Sequence, residues 1–105
     1  MVADAAVVLL VDIGNTHTHV AVANGDGIVA DARFASESLA LGQAERPLAG
    51  LLRLAKADRL AGAVFCSVVP KLNTPLKRLL CSRWQCAAWQ FTARTVTGIG
   101  IDYPK

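Results

Sequence analysis

Val7-Val-Leu-Leu-Val-Asp12-Ile-Gly14-Asn15-Thr16-His17-Thr18-His19-Val20-Ala21-Val22-Ala23 is the stretch on which the fold turns. Val7 to Ile13 is a continuous aliphatic run of strand length, which predicts a strand buried on both faces. Gly14-Asn15-Thr16 breaks it, and His17 to Ala23 then alternates in character. Thr18, Val20 and Val22 share one face of this second strand, and His17, His19, Ala21 and Ala23 share the other. Asn24-Gly25-Asp26-Gly27 holds two strong hairpin dipeptides, because Asn, Asp and Gly tolerate positive φ. Ile28 to Phe34 reads as a third strand, so three consecutive antiparallel strands joined by tight turns are expected.

Ala35 to Arg46 is polar and Ala-rich and reads as a loop or a loosely helical approach. Pro47 suits the first turn of a helix, where its missing N–H costs nothing. Leu48, Leu51, Leu52 and Ala55 follow at helical spacing, one apolar stripe. Gly62 to Val69 is a second aliphatic run of strand length, stopped by Pro70. A helix is expected from Leu72 to Trp84, with Leu72, Leu76, Leu79 and Leu80 on one face and Lys77, Arg78 and Arg83 largely off it. Ala87 to Phe91 and Thr97 to Ile101 complete the order as short strands. Hairpins mixed with crossover helices predict an α/β domain with a mixed sheet.

The 105 residues are 53% hydrophobic and 18% charged, which excludes a disordered chain. So apolar a chain of this length predicts a surface that a second chain or a second domain covers. A net charge of +3 permits an anionic ligand without demanding nucleic acid. The basic residues Lys71, Lys77, Arg78 and Arg83 read as a solvated helix face, and aromatic residues for base stacking are few, at 6%. No apolar run is long enough to span a bilayer. Asp4, with no Lys or Arg before the first apolar run, is wrong for a secretory signal. The three cysteines, Cys66, Cys81 and Cys86, include no Cys-x-x-Cys arrangement and read as reduced thiols of a cytoplasmic protein. Cys81 and Cys86 are expected as buried small hydrophobes, and Trp84 and Trp89 as core or interface anchors.

Asp12 is the residue that asks for an explanation. A carboxylate at the end of a buried strand is costly unless a metal ion or hydrogen-bond donors compensate it. Gly14 lets the backbone approach a ligand closely, and successive N–H groups in such a turn can cradle phosphate oxygens. The Asn15 amide and the Thr16 and Thr18 hydroxyls add polar contacts, while Asp12 could hold Mg²⁺ through water. On spacing alone the same residues serve equally well as a polar hairpin turn. His17 and His19 stand two apart on one strand face, a spacing compatible with metal ligation but lacking a third ligand nearby. Ser67 has no glycine frame and reads as a turn residue rather than a nucleophile.

Asp12-Ile-Gly-Asn-Thr16 between two hydrophobic strands resembles the first phosphate loop of the acetate kinase, sugar kinase, Hsp70 and actin superfamily. More narrowly, it resembles that of the type III pantothenate kinases. Cys66-Ser-Val-Val-Pro70-Lys-Leu-Asn73 is similar to that family's Ser-Val-Val-Pro-x-Leu-Asn segment. Gly100-Ile-Asp-Tyr103-Pro-Lys105 is similar to the approach to its Gly-x-Asp-Arg substrate motif. The three matches fall in the family's order across essentially the whole chain.

The resemblance implies a ribonuclease-H-like lobe and ATP-dependent phosphorylation of pantothenate to 4′-phosphopantothenate, the entry to coenzyme A. It implies that Asp12, Ile13, Gly14, Asn15, Thr16, His17, Thr18 and His19 form the nucleotide-phosphate loop. Asp12 would serve the metal and the catalysis, and Tyr103 would line the pantothenate pocket. It also implies Mg²⁺, a monovalent cation (K⁺ or NH₄⁺), a homodimer, and neither a nucleic-acid nor a membrane partner. The family has two lobes, and residues 1–105 correspond to the N-terminal one. The family's Gly-x-Asp-Arg, with its catalytic-base Asp, and its second phosphate loop have no counterpart in these residues. Two readings from other classes stand beside it: a non-catalytic nucleotide-binding or regulatory module, and a basic nucleic-acid-binding domain. Titration with Mg-ATP against a short oligonucleotide separates them.

Overall fold

The computed structural model describes residues 6–57 and 59–91. The expected strand at Thr97–Ile101, and Tyr103, lie outside the described residues.

β1 (Ala6–Ile13), β2 (His17–Asn24) and β3 (Gly27–Ala35) form the antiparallel meander expected from the turn chemistry. At the second turn the Asn24 Oδ1 accepts the Asp26 N–H at 2.8 Å. Gly27 there takes φ +116°, a conformation in which a side chain is strained. A short helix α1 (Glu37–Ala40) and a longer one, α2 (Glu45–Leu54), then cross to β4 (Arg59–Ser67). β4 runs parallel to β1. A 3₁₀ turn at Pro70–Leu72 leads into α3 (Asn73–Trp84), which returns the chain to β5 (Ala88–Gln90), parallel to β4. The sheet order is β3-β2-β1-β4-β5, a mixed five-stranded sheet with helices packed on it. This is the α/β architecture with a mixed sheet that the pattern of strands and helices predicts, in keeping with the ribonuclease-H-like lobe that the resemblance implies.

Cross-strand register decides which side chains meet. Val7, Leu9, Val11 and Ile13 of β1 are buried, while Val8 and Asp12, pointing the other way, are exposed. The expectation that β1 is buried on both faces is therefore corrected. A continuous aliphatic run has no period from which to tell one covered face from two. On the helix side, Ile13 pairs with Thr18, Val11 with Val20 and Leu9 with Val22, all buried. Leu60, Ala63 and Phe65 of β4 extend this layer. Leu48, Leu51 and Leu52 of α2 close over it, as do Leu76 and Leu80 of α3, in one core cluster. Each such fully buried leucine contributes about 2 kcal/mol of apolar transfer free energy.

Helix and strand limits differ from the sequence reading in instructive ways. Residues 35–46 are not all loop: α1 occupies Glu37–Ala40, and α2 starts at Glu45, two residues before Pro47. Pro47 still sits in the first turn, where an N–H has no intrahelical partner to lose. β4 starts earlier and stops earlier than Gly62–Val69, and Val68 is 67% exposed. α3 ends at Trp84, and Gln85, with a left-handed φ of 50°, caps it and turns the chain out of the helix. Cys81 lies on the outer face of α3 and is exposed, correcting its expected burial, while Cys86 is buried. Trp84 packs against the core, whereas Trp89 is 71% exposed and does not belong to it. Among the described residues no helix is long and apolar enough to cross a membrane.

Candidate phosphate-loop site

The turn between β1 and β2 is closed by the Gly14 N–H donating to the His17 carbonyl at 3.0 Å. Asn15 and Thr16 form its exposed tip, with Asp12 exposed at the end of β1. Gly14 is required here by space. A Cβ built on it would meet the His17 carbonyl oxygen at 2.9 Å, closer than real Cβ contacts come.

Two neighbouring segments fix the loop. The Val68 N–H donates to the Ile13 carbonyl at 3.0 Å, tying the end of β1 to the turn that follows β4. Ser36 does more. Its N–H donates to the Thr16 carbonyl at 2.9 Å, and its hydroxyl donates to the Gly14 carbonyl at 2.6 Å. The Thr18 and Ser36 hydroxyls lie 2.8 Å apart. Ser36 has already committed its single proton, so Thr18 is the donor between them. Both residues are buried, at 0% and 1% exposure, and together they make a polar staple beneath the loop.

The predicted loop residues are thus sorted by the structure. Asp12, Asn15, Thr16, His17 and His19 are exposed, and Gly14 is half-buried. Ile13 and Thr18 are buried, Ile13 among the core leucines. The Thr18 hydroxyl, read from the sequence as adding a polar contact to the loop, faces the buried Ser36 hydroxyl. Residue parity explains this: Thr18 shares the inward face with Val20 and Val22. Ser36 was missed, and only its distance in sequence hid it. In the second motif Ser67 accepts the Val69 N–H at 3.0 Å, the turn role read from its neighbours. Asn73 keeps a buried Oδ1 without a hydrogen-bond partner.

A cross-strand row passes through Asp12. Arg33 of β3 pairs with His19 of β2, His19 with Asp12 of β1, and Asp12 with Cys66 of β4. The His19 Nε2 lies 2.8 Å from the Asp31 carboxylate, also on this face. A cavity of about 320 Å³ on this face is bordered by Leu10, Ala21, Val64 and Phe91 as well as by Asp12 and His19.

An exposed carboxylate such as that of Asp12 suits a magnesium ion that keeps much of its water shell and completes its ligands with phosphate oxygens. Among the described residues no group of three or more His, Cys, Asp or Glu side chains could hold a metal by protein ligands alone. The donor set therefore fits a hydrated Mg²⁺ delivered with nucleotide and does not fit a caged structural ion.

Residues 8–105 match the family model of the type III pantothenate kinases. The chain belongs to that family. Among solved structures, the chain is similar to the Aquifex aeolicus member of the Ppx/GppA protein family, with a TM-score of 0.51 and 14% identity. The superposition covers 83% of this chain and 35% of that one, so the chain spans about a third of the length of the structure it matches. At that identity the likeness concerns the fold. No curated protein matches the sequence.

Proposed function

We propose that residues 1–105 are the N-terminal, nucleotide-phosphate-binding lobe of a kinase that transfers phosphate from ATP to the hydroxyl of pantothenate. Membership of the type III pantothenate kinase family supports the reaction. The observation that carries the assignment of the site is the stapled turn, with Asp12, Asn15 and Thr16 exposed on a backbone fixed by Ser36 and Val68.

Phosphoryl transfer needs positioning and charge stabilisation more than covalent chemistry. In this reading Asp12 orients Mg²⁺ through water, while Asn15, Thr16 and the loop backbone contact phosphate oxygens. His17 and His19 complete the loop segment, and Tyr103 stands near the pantothenate pocket. Bound Mg²⁺ neutralises charge that develops on the transferring phosphate. In this reading the catalytic base, carried by the family's Gly-x-Asp-Arg, and the opposing phosphate loop of the second lobe are supplied by residues other than 1–105. A homodimer and a monovalent cation, K⁺ or NH₄⁺, are part of the same proposal.

The test is Asp12→Asn in the full-length protein. Asp12 is exposed, so the substitution is expected to change stability by no more than about 0.5 kcal/mol. Turnover of pantothenate should fall at least about 100-fold, in keeping with loss of an electrostatic group at a transferring phosphoryl. Wild-type kcat/KM in a folded Asp12→Asn protein would refute the assigned role. Salt-sensitive oligonucleotide binding with no Mg-ATP binding would instead favour the nucleic-acid reading.

A further inference from the structure

The row Arg33–His19–Asp12–Cys66 runs in register across four strands beside the phosphate loop. Within it one side chain is held by a residue to which no motif points. The His19 Nε2 lies 2.8 Å from Asp31 Oδ2, and the two residues come from adjacent strands, with Asp31 opposite Ala21. An ionised carboxylate only accepts, so the nitrogen facing it carries the proton. In the neutral ring the other nitrogen, Nδ1, is then an acceptor, and the tautomer is set by the partner. No hydrogen bond among the described residues engages that Nδ1.

Residues directly opposite on an antiparallel pair have Cβ atoms about 5 Å apart. Asp12 and His19 are such a pair, and both border the same cavity. A hydrated divalent cation at Asp12 presents water protons, and these need acceptors. We infer that Asp31 is a positioning residue: it fixes the His19 ring in the Nε2–H tautomer, so that Nδ1 stands beside Asp12 as a second acceptor for the water shell of the bound cation. The His19–Asp31 hydrogen bond contributes little to stability, because its side chains are 55% and 59% exposed. Its role is orientation. Partners that orient metal ligands are worth about 10–100-fold in metal affinity, and a contact made through water belongs at the lower end of that scale.

This inference rests on the reading of Asp12 as the metal-facing residue, and the experiment separates the two. Mn²⁺ affinity is measured by electron paramagnetic resonance in the full-length protein with ADP, for wild type, Asp12→Asn, Asp31→Asn, His19→Phe and Asp31→Asn/His19→Phe. Asp26→Asn removes the same charge at the β2–β3 turn and serves as the electrostatic control. Asp31→Asn and His19→Phe should each weaken Mn²⁺ about 3- to 10-fold, the double variant no further, and Asp26→Asn by less than twofold. Long-range ¹⁵N spectra should show the Nε2–H tautomer of His19 in wild type and a mixture in Asp31→Asn. Unchanged Mn²⁺ affinity in Asp31→Asn, with affinity lost in Asp12→Asn, overturns the role of Asp31 alone. So does an equal loss in Asp26→Asn. Unchanged affinity in Asp12→Asn overturns the metal reading of Asp12 and this inference together.

Discussion

The Ser36 hydroxyl donates to the Gly14 carbonyl at 2.6 Å across 22 residues of sequence, joining the end of β3 to the turn between β1 and β2. This contact makes the exposed tip a fixed structure. Ser36 and Thr18 satisfy each other in the interior, so neither hydroxyl is left bare where burial would be costly.

Ser36→Ala removes that staple. The Gly14 carbonyl loses its donor and the Thr18 hydroxyl its acceptor, both in a water-poor site. A loss of about 1–3 kcal/mol is expected from urea denaturation, with weaker ADP binding at temperatures where the variant is still folded. Unaltered ADP affinity in folded Ser36→Ala would show that the loop holds its shape without the staple.

Gly14→Ala tests space rather than backbone freedom. The added methyl meets a carbonyl oxygen that is itself hydrogen-bonded to Gly14, so the strand end must shift. About 1–3 kcal/mol of destabilisation is expected in thermal melts. A melting temperature equal to wild type would contradict it.

Leu76→Ala reports on the core far from the loop. Leu76 is fully buried between α3 and the sheet, and its truncation should cost about 3–5 kcal/mol in chemical denaturation. A cost under about 1 kcal/mol would mean that α3 packs differently.

The cysteines should separate by reactivity. Burial pushes the Cys86 thiol above its ordinary value of 9.0, while Cys81 is exposed. Iodoacetamide followed by peptide mapping should label Cys81 well before Cys86. The sign for stability follows from the same shift. The folded state favours the neutral thiol, so this contribution is complete below the ordinary pKa and is lost as pH rises through the raised one. Cys86→Ala should flatten the fall of stability at alkaline pH, and an unchanged slope would remove Cys86 as its source.

Much of this molecule was legible in one dimension. Turn residues placed both hairpins, because Asn, Asp and Gly act through their own backbone preferences. Leucine spacing located α2 and α3, because a helix face repeats every 3.6 residues whatever lies beyond it. Family membership was legible through three short motifs in order. The limits of β4 and the start of α2 at Glu45 were not, since element ends depend on tertiary contacts that propensity does not contain.

Sequence alone therefore located β1 to β5, the turns of the meander, the helix stripes of α2 and α3, and the candidate loop from Asp12 to His19. Tertiary structure decided which face of β1 is covered, because an aliphatic run with no alternation is equally suited to one covered face or two. It decided that Thr18 meets Ser36, and that Asp31 pairs with His19, which stands opposite Asp12 in register. These are relations between residues far apart in sequence. Register creates them, and register is settled only when the sheet forms and one face is buried.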